Sequence, residues 1–235
     1  MIYSPFVSTS LKLLYGTAFR APNSYELYYH DGGISYKAAG ELDSENIETF
    51  EFIVEQELTT NIRAVASIYH NEIDELIALT TDPADDLLVF ANLGDAKVTG
   101  GELQFEGRWD NGWAGSISYS YQYAENKSTD KRMVNSPLNM VKGNVMIPLL
   151  EDLLMAGLEA QYESGRKTLN DNQTDDIFLI NATLLSRDMI KGVTLSASIY
   201  NLFDQDYAHP GSEEHVQDSI EQDGLTFRIK LDYAF

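Results

Sequence analysis

Hydrophobic and polar positions alternate along this chain at a period of two. Leu225, Phe227, Ile229, Leu231, Tyr233 and Phe235 are separated by Thr226, Arg228, Lys230, Asp232 and Ala234. Successive side chains of a strand point to opposite sides of the pleat, so this pattern makes a β-strand with one apolar face. Val193, Leu195, Ala197 and Ile199 repeat it upstream, as do Ile117, Tyr119, Tyr121 and Tyr123 among serines. Leu103 and Phe105 alternate with Glu102, Gln104, Glu106 and Arg108, and Phe50, Phe52 and Val54 with Glu51, Ile53 and Glu55. The pattern predicts about ten strands, each close to the length that crosses an outer membrane. They span 9–19, 47–58, 61–73, 97–109, 112–124, 139–147, 153–164, 176–185, 192–201 and 224–235. Residues 61–73 alternate in either register and 139–147 are mixed. Residues 149–158 also fit helical spacing, but Leu154, Ala156, Leu158, Ala160 and Tyr162 alternate between two strands and favour a strand.

The connections alternate in length. Short ones fall at 59–61, 110–112, 148–152 and 186–191, and long ones at 20–46, 74–96, 125–138, 165–175 and 202–223. A meander across a bilayer has this form, with tight turns at one surface and loops at the other. The fold class expected is therefore all-β, an antiparallel meander of transmembrane strands. No apolar run reaches the 18 or so residues of a spanning helix, which leaves a β-barrel untouched. The net charge is −21. That excludes a cationic nucleic-acid groove and a basic patch for anionic lipid. With no cysteine, disulfide frameworks and thiolate metal sites are excluded as well. Most of the acid lies in the long loops, as in Asp82, Asp85 and Asp86, or Glu213, Glu214 and Asp218.

Several segments resemble the motifs of TonB-dependent outer-membrane receptors. Tyr15-Gly16-Thr17-Ala18-Phe19-Arg20-Ala21-Pro22 resembles a strand-end motif of that family. Glu45-Asn46-Ile47-Glu48-Thr49-Phe50-Glu51 is similar to its strand opening after the first long loop, and Thr99-Gly100-Gly101-Glu102 to a later strand start. Asn201-Leu202-Phe203-Asp204 with Tyr207 resembles the element before its last loop, and Leu231, Tyr233 and Phe235 resemble its outer-membrane insertion signal. The motifs stand in family order and cover the whole chain. The resemblance implies the C-terminal part of a plugged barrel of about 22 strands. The signal peptide, TonB-contacting segment, plug domain and N-terminal barrel strands of a family member have no counterpart here. Residues 1–235 are thus expected to form an open half-barrel, with 9–19 and 224–235 as its edges.

Candidate chemistry is sparse. Tyr28, Tyr29 and His30 share the first long loop, and His209 and His215 share the last with several carboxylates. Exposed aromatics at a mouth can stack on a planar ligand, or pack the loop. A His and carboxylate cluster can ligate a metal, but the 209/215 spacing matches no fixed motif, and a solvated acidic loop is the favoured reading. Arg20, Glu48, Glu102 and Arg108 are expected to face the lumen, either against a plug or as ordinary hydrated polarity. Carboxylate pairs occur on every polar face, so they do not single out a glycosidase, and no nucleophile or phosphate-loop motif appears.

The reading expected is therefore a receptor segment without enzymatic activity, cofactor or nucleic-acid partner. By resemblance its ligand is a metal chelate, a ferric siderophore before cobalamin or haem. Its partners are the TonB system, a plug domain, and outer-membrane lipid and lipopolysaccharide. The alternatives are a small closed diffusion channel and a soluble β-sandwich binding module.

Overall fold

The computed structural model describes residues 1–150 and 153–234, and among them β-structure dominates. The strands are β1 (Ile2–Phe6), β2 (Thr9–Arg20), β3 (Glu45–Glu57), β4 (Ile62–Asp74), β5 (Ile77–Thr81), β6 (Leu88–Asn92), β7 (Ala96–Arg108) and β8 (Ala114–Asn126). They continue with β9 (Lys131–Arg132), β10 (Asn139–Leu150), β11 (Leu154–Glu163), β12 (Ile177–Ile190), β13 (Val193–Tyr200), β14 (Ala208–Pro210), β15 (Ser219–Glu221) and β16 (Thr226–Tyr233). One short helix, α1 (Ser24–Tyr28), sits in the first long loop.

The main sheet runs β1-β2-β3-β4-β7-β8-β10-β11-β12-β13-β16, with β9 paired to the far end of β8. Every predicted span is a strand of this sheet. The ambiguous segment is β11, paired from Met140↔Glu163 to Leu150↔Leu154 on one side and with β12 on the other. A helix there would leave two neighbouring strands with unpaired N–H and C=O groups. The register of 61–73 is decided by its partners. Ile68 lies between Phe52 and Gly101, so Ile62, Ala64 and Ala66 join the apolar face.

One edge differs from expectation. Residues 9–19 are not an edge, because β1 turns back at Val7-Ser8 and pairs Ile2↔Lys12 and Tyr3↔Leu11. Five residues that include Pro5 carry too little alternation to signal a strand. Proline lacks an N–H donor and is tolerated on an edge. At the other end β16 pairs with β13, and among the described residues no ladder joins it to β1 or β2. The sheet is open, which removes the ladder a small closed channel requires.

The faces also exclude the sandwich. Phe227 is 82% exposed and Ile229 70%, so no second sheet covers the apolar side. Among the described residues the buried hydrophobic ones are Ile77, Ala96, Ala124 and Ile177, all near the long-loop rim, where loops fold back on strand ends. Antiparallel order puts every short turn on one rim and every long loop on the other. At the tight turns Gly112 (φ +84°) and Gly192 (φ +77°) adopt the left-handed conformation that a side chain disfavours. Within the long loops, β5 and β6 form one small hairpin and β14 and β15 another.

Candidate functional site

The long loops are joined into one rim. After β2, Asn23 and Glu26 form a capping box. Asn23 Oδ1 accepts from the N–H groups of Tyr25 and Glu26 at 2.9 and 3.0 Å, and Glu26 Oε2 accepts from Asn23 N at 2.8 Å. The signal for α1 in the sequence is Asn23-x-x-Glu26 behind Pro22, a capping box that carries no alternation. Arg20 holds the buried Glu26 through Nη1 at 2.7 and 2.9 Å and reaches Glu45 through Nε at 2.5 Å. The loop is thereby stapled to the ends of β2 and β3.

The helix presents aromatics. Tyr25 and Tyr29 stack at 4.4 Å, Tyr29 meets the ring of Tyr36 edge-on at 5.1 Å, and Tyr25 meets Phe90 of the next loop at 5.8 Å. Tyr29 therefore belongs to a cluster whose other members were not singled out, since they lie far apart in sequence. Tyr28 stays outside it and is exposed. His30 Nδ1 accepts only a long 3.3 Å hydrogen bond from Gly32 N.

Acidic groups organise the rest of the rim. The Asp31 carboxylate accepts from the backbone N–H of Tyr36, Ser35 and Ile34, and these bonds, Tyr36 first, hold its pKa below the ordinary value against the opposing effect of burial. Lys37 pairs with Asp82 and Asp85 and bridges the first two long loops, which also share the Leu88 N to Ser35 O hydrogen bond of 2.8 Å. The Tyr36 hydroxyl donates to Glu214 of the last loop. Burial, and then that hydrogen bond, push its pKa above the ordinary phenol range. Asp218 accepts from Asn172 Nδ2 at 2.9 Å, Thr168 Oγ1 at 2.9 Å and Asn170 Nδ2 at 3.0 Å, which together hold its pKa low. Arg166 pairs with Glu163 and donates to Asn135 Oδ1 at 3.0 Å, tying in the loop between β8 and β10.

The two histidines of the last loop have separate partners. His209, in β14, packs edge-on against Tyr207 at 5.6 Å. Burial and then Arg166 lower its pKa, with Glu163 opposing. His215 Nδ1 instead pairs with Ser212 Oγ at 2.8 Å. Among the described residues no group of three His, Asp or Glu side chains could hold a metal ion.

Below the rim, the polar face carries a concavity of about 300 Å³ lined by Tyr69, Glu102, Gln104, Ser120, Gln122 and Lys142, among others. Glu102 lies there, opposite Ser67 and Ser120, and Arg108 stands on the same face at the short-turn rim, opposite Ala114. Tyr69 lies over Gly100, where a Cβ would sit 2.5 Å from its Cζ, so the lack of a side chain at Gly100 admits the ring. Arg20 faces the same side, through its partner Glu45.

Glu48 does not. It stands opposite Thr17 and Glu72 and two residues from Phe50, so strand parity puts it on the apolar face near the loop rim. Its polar character had suggested the polar face, but the pleat decides orientation. Leu231 and Tyr233 are exposed on the apolar side of β16, and Phe235 lies outside the described residues.

An open antiparallel meander with one apolar face, one polar face and a loop-bearing rim is a segment of an outer-membrane β-barrel. Residues 1–202 match the family model of the TonB dependent receptor-like beta-barrel, and the chain belongs to that family of outer-membrane transporters and receptors. It is 28% identical over 198 residues to the vitamin B12 transporter BtuB of Photobacterium profundum, covering 82% of this chain and 31% of that protein. The copper transporter OprC superposes on it with a TM-score of 0.79 at 21% identity, over 100% of this chain and 39% of its own. A mutant of the ferric enterobactin receptor PfeA from Pseudomonas aeruginosa gives a TM-score of 0.77 at 18% identity, over 100% and 39%. At these identities the structural likeness is one of fold. The chain spans well under half the length of each relative.

Proposed function

We propose that residues 1–235 form the C-terminal wall and loop cluster of a receptor for a metal-chelate nutrient, with a ferric siderophore as first candidate and cobalamin or haem behind it. The observation that carries this reading is the continuous rim. Loops from opposite ends of the sheet meet at Tyr36 and Glu214, above a polar wall, with an aromatic cluster at the junction. Aromatic faces and ordered carboxylates suit a planar, polar chelate that must be held without being transformed. Relatives named as transporters or receptors for vitamin B12, copper and ferric enterobactin support the same class of cargo.

In the complete receptor, capture takes place at the rim, which faces outward. A plug domain then fills the space beside Glu102 and Arg108, and TonB-driven movement of the plug opens the path. The test is uptake by whole cells expressing the complete receptor, using radiolabelled ferric siderophores, cobalamin and haem, with and without a functional TonB system. Ferric siderophore uptake that disappears without TonB is the expected result. Uptake of cobalamin or haem alone replaces the first candidate, and failure to take up any of the three overturns the reading.

A further inference from the structure

The aromatic cluster of the rim lies among charges of one sign. The first, second and last long loops, residues 21–44, 75–95 and 201–225, hold 16 carboxylates and one Lys or Arg, Lys37. That single cation is already paired with Asp82 and Asp85. Arg20, at the end of β2, is held by Glu26 and Glu45. Lys127, at the start of the loop after β8, is held by Glu72 and Asp74. None of these three is free to receive an anion.

The rings themselves are open. Tyr25 and Tyr29 stack at 4.4 Å yet keep 48% and 38% of their surface exposed. Tyr36 meets Tyr29 at an interplanar angle of 76° and Phe90 meets Tyr25 at 74°, so ring faces point in more than one direction. Among the described residues no cationic side chain lies over any of these four rings; Arg228 over Tyr200 is the one such pair. Glu214 accepts from the Tyr36 hydroxyl, and its neighbour Glu213 has no side-chain partner among the described residues. The negative field reaches Tyr25, whose pKa is pushed up by burial, then by Tyr29 and Glu214. A ring face attracts a cation within about 6 Å of its centre, and a carboxylate beside it adds to that attraction. A bare metal ion does not suit the place, since among the described residues no group of three His, Asp or Glu side chains could ligate one. An organic ammonium needs only ring faces and one carboxylate.

We infer that the rim selects its chelate by charge: the cargo presents an ammonium group to Tyr25, Tyr29 and Glu214, and chelates of net negative charge are rejected. The inference deepens the chelate-receptor reading above and rests on it. The acidic loops add a long-range term, drawing a cationic cargo toward the mouth in a way that salt screens.

The test uses the complete receptor in mild detergent and three ferric linear trihydroxamates that differ at one terminus: a free amine, its N-acetyl derivative and its N-succinyl derivative. The iron centre is the same in all three, and they are cationic, neutral and anionic in turn. Affinity by titration calorimetry is expected to fall in that order, amine over acetyl by about tenfold, the scale of a cation–π contact beside a carboxylate. The preference should shrink at high salt. Tyr29→Leu keeps apolar bulk without a ring face, and Glu214→Gln keeps an acceptor for Tyr36 without the charge. Each is expected to lower the amine-over-acetyl ratio about threefold or more. Glu57→Gln, at the short-turn rim, removes the same charge from the chain and leaves the ratio unchanged. Heat-dependent gel mobility verifies that each variant is folded. An amine-over-acetyl ratio near one, tighter binding of the succinyl derivative, a ratio untouched by both folded rim variants, or no binding of any of the three overturns the inference. The receptor reading falls separately, when cells expressing the complete receptor take up no ferric siderophore, cobalamin or haem.

Discussion

Thr168 Oγ1 donates a 2.9 Å hydrogen bond to Asp218 across 50 residues of sequence, and so locks the loop after β11 to the last loop. Asn170 and Asn172 add their side-chain amides to the same carboxylate. Asp218→Ala removes all three acceptor contacts at once. The variant is expected to be cleaved several-fold faster by protease in both loops, with strand content by circular dichroism unchanged. Asp223→Ala, whose side chain makes no such contact, serves as the control.

The rim should loosen in acid in two stages. Burial lowers the pKa of His209 below its ordinary value, so the neutral ring is the form compatible with the fold. Its contribution is complete above the unfolded value, about 6.5, and is lost as pH falls through the lower folded value. Asp31, Asp82 and Asp218 also have depressed values, through hydrogen bonds and Lys37. Their contribution is present above about 4 and is lost as pH falls through the folded values. Protection factors of the loop amides, corrected for the intrinsic pH dependence of exchange, should fall first below about pH 6.5 and again below about pH 4. His209→Gln should abolish the first fall alone.

Facing can be tested with one pair of substitutions. Ile117 is on the apolar face and Ser118 on the polar face of β8. In the complete receptor refolded into vesicles, Ile117→Arg should cost about 2–4 kcal/mol, the penalty of a cation on the lipid side at mid-membrane. Ser118→Arg should cost under about 1 kcal/mol, since that face is hydrated. Equal costs would contradict the assigned faces.

Gly100 and Tyr69 should be energetically coupled. A side chain at Gly100 strikes the ring. Gly100→Val should destabilise by about 1–3 kcal/mol, as overpacking does. In the Tyr69→Ala background the ring's share of that cost is removed while the clash with the Tyr121 carbonyl oxygen, 2.6 Å from the added Cβ, remains, and a double-mutant cycle in urea would read the ring's share.

The cap of α1 should govern the aromatic cluster. Asn23→Ala removes the acceptor of the Tyr25 and Glu26 amides, worth about 1 kcal/mol to the helix. Ligand affinity should fall several-fold, and Tyr29→Ala should produce a loss of similar size without disturbing the helix. Titration calorimetry with the chelate identified by uptake would check both.

Much of the molecule is a local property of the chain. The side-chain period of a strand is two whatever its neighbours are, so alternation alone placed all ten long strands and put Phe227, Ile229 and Leu231 on one face. Turn lengths then assigned the loops to one rim, because an antiparallel meander leaves no other arrangement. Residues outside the alternating runs were less legible. Five residues of β1 hold too few alternations to register, and the charge of Glu48 points to the polar face while its parity with Phe50 puts it on the apolar one.

Only the tertiary structure decided which loops meet. The contacts of Tyr36 with Glu214, Lys37 with Asp82, and Thr168 with Asp218 join residues 178, 45 and 50 positions apart. Each depends on where the register and order of the intervening strands carry the loop ends, and neither is written in the loop residues themselves. The same holds for Glu48, Glu72, Lys97 and Glu125, which stand on four strands and become neighbours when the strands pair.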